Sequence, residues 1–137
     1  MQQLQTPSRP LEIPADTLQN LRRLANLTAR YCDRVAAEKD YCIREKNYKY
    51  ALRCIFRIQK TLWDNAGRID DKDKRERLSG ISDALLGAWD FLSDRRAFSI
   101  SVYIGIIAGL SIKCVDNFDL YKTSFDCILS ELKQCAK

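Results

Sequence analysis

From residue 16 onward the chain repeats apolar and polar positions at a period near 3.6. Leu18, Leu21, Leu24, Ala25, Thr28, Cys32 and Val35 recur at steps of three and four, which marks one buried helix face. Asp16, just after Pro14, is placed to cap this first helix, which then runs to about Lys39. A second helix is expected over about residues 47–65. Its stripe is Tyr48, Leu52, Ile55, Leu62 and Trp63, with Phe56 and Ile58 on the flanks, and Gly67 is placed to stop it. Asp70, Asp71 and Asp73 crowd the start of a third helix, where carboxylates complement the helix dipole. Leu78, Ile81, Leu85, Ala88, Trp89 and Leu92 make its buried face.

The next stretch carries two periods at once. Asp94 is placed to cap a fourth helix over about residues 95–115. Yet Phe98, Ile100, Val102, Ile104 and Ile106 alternate with Ser99, Ser101, Tyr103 and Gly105, which is strand spacing. A strand needs a partner and no other segment offers one, so a central helix is expected. Ser101, Gly105 and Gly109 then form a small-residue ridge that lets a neighbouring helix approach closely. Residues 97–112 are uncharged, but the run is shorter and more polar than the roughly 20 apolar residues of a spanning helix. Buried core is expected there, and no membrane partner. A last helix follows Asn117, with Tyr121, Phe125, Ile128, Leu132 and Cys135 on one face. The pattern predicts an all-α fold, a compact bundle of four to five antiparallel helices. It forms a single domain over residues 15–137, after a short, extended, Gln- and Pro-rich tail over residues 1–14.

Composition removes much chemistry from consideration. The 137 residues include no histidine. Ser-His-Asp triads, Cys-His pairs, His-ligated metals and histidine pH switches are therefore excluded. No two of the six cysteines (Cys32, Cys42, Cys54, Cys114, Cys127, Cys135) are spaced C-x-x-C. Reduced thiols serving as small buried hydrophobes are expected, ahead of a disulfide framework or a metal site. The N-terminal residues lack the basic start and apolar core of a signal peptide, so a cytoplasmic location is expected. No phosphate-binding glycine loop or EF-hand series occurs. Asp70, Asp71 and Asp73 read as a helix start interleaved with Lys72 and Lys74. The Arg53-Cys54 pair has no base to activate the thiol. No catalytic residue, metal, cofactor or small-molecule substrate is expected.

Charge adds the one sharp feature. The net charge of +5 is small for the whole chain, but it is not spread evenly. Residues 44–60 carry six basic groups and one acidic group, while the rest is nearly balanced. Lys46, Lys49, Arg53, Arg57 and Lys60 fall within an arc of about 80° on the second helix, opposite its apolar stripe. Arg23, Arg30 and Arg34 form a second row on the first helix. Solvated helix faces usually interleave Glu with Lys at i, i+4, and this one does not. If the two helices pack side by side, seven or eight cations line one surface, which reads either as a solvated basic face or as one that tracks phosphates with little sequence preference. Tyr50, at the edge of the second row, is placed to stack on a base or sugar.

With these rows on a compact helical body and no catalytic groups, residues 15–137 resemble the small helical subunit of CRISPR effector complexes. The resemblance implies a bundle that lines a crRNA-guided assembly, holds DNA or RNA by its backbone, and docks on neighbouring subunits or on copies of itself. Basic four-helix RNA-binding accessory proteins fit the same residues. Two further readings stand beside these. One is a helical protein-interaction module, such as an adaptor, an immunity-type protein or a viral inhibitor, whose basic face meets an acidic protein. The other is a thiol redox sensor.

Overall fold

The computed structural model describes residues 13–95 and 98–135. Apart from Ile13 and Pro14, the expected tail lies outside the described residues. Among the described residues there are five α-helices, one 3-10 turn and no strand. They are α1 (Ala15–Ala37), α2 (Tyr41–Ala66), α3 (Lys72–Ser93), a 3-10 turn (Phe98–Ile100), α4 (Ser101–Asp116) and α5 (Phe118–Cys135). The all-α bundle expected from periodicity is what the chain forms.

Neighbours follow chain order with one exception. α1 packs along α2, α2 along α3, and α4 returns to lie against α1 before α5 covers α4. Leu21 and Val35 of α1, Ile58 and Leu62 of α2, Leu78, Ile81 and Leu85 of α3, and Ile104, Ile107 and Val115 of α4 are almost fully buried in one core. Phe125 and Leu132 of α5 complete it. Tyr48 crosses the core and donates its hydroxyl to the Leu92 carbonyl at 3.1 Å, tying α2 to the end of α3.

The ambiguous stretch is helical because of what it buries. Ile104, Ile107, Ala108, Ser111, Ile112 and Val115 are buried at helical spacing, while Val102 and Ile106 face outward. Residues Phe98–Asp116 are long and apolar enough in composition to cross a membrane, and half of that stretch is buried inside the bundle. The small-residue ridge is used at one position. A Cβ on Gly105 would stand 3.4 Å from the Cα of Ala29, so α1 and α4 meet closely there, whereas Gly109 faces open space.

Several boundaries differ from expectation. Pro14, not Asp16, occupies the N-cap of α1, and Asp16 lies in the first turn. Asp94 is the C-cap of α3 rather than the N-cap of a fourth helix, and α4 begins only after the 3-10 turn, with Ile100 at its N-cap. Gly67 ends α2 in an ordinary right-handed conformation. Trp63, expected in the core, is 52% exposed because its position faces outward beside α3. Cys135, expected on the buried face of α5, is also exposed.

Candidate nucleic-acid interface

The two basic rows meet because α1 and α2 form a tight hairpin. Only residues 38–40 separate them. Glu38 turns extended, and the Asp40 carboxylate caps α2 by accepting from the Ile43 amide at 3.2 Å. Arg44 then donates its Nε to the Val35 carbonyl at 3.0 Å, fastening the corner. α2 therefore starts six residues earlier than periodicity indicated, and it packs along α1 with Arg53, Arg57 and Lys60 on the shared side.

Between the two helices lies a cleft of about 190 Å³. Arg23, Leu27 and Tyr31 line it from α1, and Tyr50, Arg53, Cys54 and Arg57 line it from α2. A second cleft of about 300 Å³ continues toward Lys60 and Asp64, sharing Arg23 and Arg57. The convergence registers at Cys54. Burial pushes its thiol above the usual value, while a hydrogen bond with Thr28 and the charges of Arg57, Arg23 and Arg53 act in the opposite sense. Three guanidiniums from two helices thus line the same cleft as this thiol.

Aromatic rings bridge the same groove. Tyr31 and Tyr50 approach to 5.3 Å between centroids, tilted by 49°. The Arg34 Cζ lies 5.6 Å from the Tyr31 centroid, and the Arg53 Cζ lies 5.7 Å from that of Tyr50. The order Arg34, Tyr31, Tyr50, Arg53 runs from α1 to α2 and holds the guanidiniums by cation–π attraction.

Of the eight cations singled out in sequence, the structure brings Arg23, Arg53, Arg57 and Lys60 to the groove and sets Arg34 at its end. Arg30 lies on the flank of α1, in an open cleft of about 680 Å³ that it shares with Arg22, Arg23 and Asn26. Lys49 sits on the other side of α2, in a cleft of about 370 Å³ with Arg53, Phe56, Trp89 and Ser93. Lys46 is exposed and lines none of these clefts.

Counter-ions are sparse. Lys60 reaches Asp64 at a long 3.8 Å, and Arg23 donates to the Asn20 side-chain oxygen at 2.8 Å. Among the described residues, no carboxylate lies within ion-pair distance of the other seven cations. Arg22 shows the contrast: it places both Asp116 oxygens at 2.9 Å from its Nη2 and so joins α1 to α4.

Sequence reasoning missed Tyr31, whose position between Arg30 and Arg34 was the available signal. It also missed Trp89, which was read as core. The six thiols divide evenly: Cys32, Cys54 and Cys114 are buried and Cys42, Cys127 and Cys135 are exposed, all free. The exposed three correct the expectation of six buried hydrophobes, since they fall on outward helix faces. Among the described residues, no group of three or more Cys, Asp or Glu side chains is arranged to hold a metal ion. The chain matches no protein-family model, no curated protein and no solved structure.

Proposed function

We propose that this chain is a non-catalytic nucleic-acid-binding subunit of a ribonucleoprotein assembly, in the manner of the small helical subunits of CRISPR effector complexes. The observation that carries the reading is the convergence of Arg23, Arg53 and Arg57 on the α1–α2 groove, with no carboxylate among the described residues in ion-pair range of the three. Guanidiniums held in this way hydrogen-bond phosphate oxygens through a planar fork. They read no base edge, so binding is largely independent of sequence. Val102, Ile106 and Leu120 are exposed apolar side chains away from the groove and suit contacts with other subunits.

The test is a filter-binding or anisotropy titration with labelled oligonucleotides at several salt concentrations. Wild-type protein is expected to bind DNA or RNA in a salt-sensitive manner. The triple variant Arg23→Glu, Arg53→Glu, Arg57→Glu is expected to lose binding while its helical circular-dichroism signal stays unchanged. Unchanged affinity in a folded triple variant overturns the reading. Purification of the native chain in a stoichiometric complex with an acidic protein and no nucleic acid overturns it as well.

A further inference from the structure

The basic ridge of α2 has an aromatic margin on each side, and the two margins differ. On the α1 side, the faces of Tyr31 and Tyr50 are already covered by Arg34 and Arg53. On the α3 side, Phe56 and Trp89 meet at 5.2 Å between centroids, tilted by 50°. Among the described residues, no guanidinium or ammonium covers either ring. Phe56 is 38% exposed and Trp89 is half-buried, so each ring is anchored in the fold and open on one side.

The cleft these rings floor has about 370 Å³, and its rim carries Lys49 and Arg53. Arg53 lines this cleft and the α1–α2 groove alike, so one cation sits on the crest between them. Two turns beyond Phe56 toward the C-terminus of α2, Trp63 presents a further exposed ring.

Building on the nucleic-acid reading above, we propose that the Phe56–Trp89 cleft is a nucleobase-stacking site, and that single-stranded nucleic acid is therefore the ligand of the α2 ridge. Two physical facts support it. A flat ring in an open aromatic cleft gains stacking that every base can supply. The cations at the rim complement the phosphate attached to that base, as they complement no uncharged apolar occupant. A duplex presents phosphates but keeps its bases inside the stack, so it leaves the cleft empty. The site therefore separates strand states rather than sequences.

Three probes of equal length test this: oligo-dT, an abasic strand with the same phosphates, and a duplex. Wild-type protein is expected to bind oligo-dT about tenfold more tightly than either of the others, a typical gain for a stacked base. Tryptophan fluorescence is expected to be quenched by oligo-dT alone. Phe56→Leu keeps apolar bulk at an exposed position and is expected to bring oligo-dT affinity down to the abasic level. Trp89→Leu should do the same, and if it unfolds the protein, Phe56→Leu stands as the test. Equal affinity for oligo-dT and the abasic strand, with both sensitive to salt, overturns the stacking site and leaves the phosphate reading intact. No binding to any of the three overturns both. A poly-glutamate peptide of equal charge that binds as tightly as oligo-dT also overturns the inference, in favour of an acidic protein partner.

Discussion

Gln59 and Ser82 close a buried ring between α2 and α3: the Gln59 side-chain amide donates to the Ser82 hydroxyl at 3.0 Å, and that hydroxyl donates back to the Gln59 carbonyl at 3.1 Å. Both residues are buried, so neither group has water to turn to. Ser82→Ala strands the Gln59 amide and is expected to cost about 1–3 kcal/mol. Removing both polar groups, with Gln59→Leu added, is expected to recover much of the loss. Urea denaturation of the two variants measures the difference. A double variant no more stable than the single one would show that packing, not hydrogen bonding, dominates at this site.

Glycines 105 and 109 are expected to respond oppositely to a side chain. Gly105 faces the Ala29 backbone at 3.4 Å from its ideal Cβ, and Gly109 faces open space. Gly105→Leu is expected to push α1 from α4 and cost about 1–3 kcal/mol, as overpacking does. Gly109→Ala is expected to gain about 0.5–1 kcal/mol, because alanine loses less backbone freedom within a helix. Thermal melts of the two variants check the sign of each.

The buried thiols predict an alkaline limit to stability. Burial pushes Cys32 up to about 12 and Cys114 to about 11, from an ordinary 9.0. The folded chain thus keeps protons that the unfolded chain releases above about pH 9. Their stabilising effect is complete below that pH and is lost as pH rises toward 11 and 12. Each thiol is expected to add up to about 1.4 kcal/mol of loss per pH unit in that window. The double variant Cys32→Ala, Cys114→Ala should flatten the slope, whatever its starting stability. A thiol-reactive dye should label Cys42, Cys127 and Cys135 promptly, and should reach the other three only in denaturant.

Salt dependence counts the phosphate contacts. For a single strand, each cation that neutralises a phosphate contributes about 0.7 to the slope of log affinity against log salt. Arg53→Gln and Arg57→Gln are each expected to lower the slope by about that amount. Arg22→Gln is expected to leave the slope unchanged, because Arg22 is ion-paired to Asp116 at 2.9 Å. An equal drop for Arg22→Gln would mean that net charge, rather than the groove, sets the affinity.

Helix faces were legible in the sequence, and the partners of those faces were not. The Leu21–Val35 stripe and the Leu78–Leu92 stripe are buried as their spacing demands. Two breaks were placed only approximately because neither glycine nor proline makes them. The α1–α2 corner depends on the Asp40 cap and on the Arg44 bond to Val35, both of which need the folded hairpin. At the far end, Asp94 reads equally well as the end of one helix or the start of the next. The basic rows were visible as angles on separate helices. Their junction at Cys54, and the division of Arg30, Lys46 and Lys49 away from it, depend on how α1 rolls against α2, which no periodicity records. Trp63 shows the same limit: its angle on α2 sits at the margin of the stripe, and the position of α3 leaves it uncovered.

The uneven anchoring of the helices gives the molecule a graded order of opening. α5 is held through Phe125 and Leu132, its two buried side chains among the described residues, and it lies chiefly on α4. α2 buries eleven residues and is flanked by α1 and α3. In native-state hydrogen exchange, the amides of α5 therefore belong to the earliest unit to open, and those of α1 and α2 to the last. No residue of α5 lines the groove or the aromatic cleft. The edge of the bundle can therefore open while the charged crest keeps its shape.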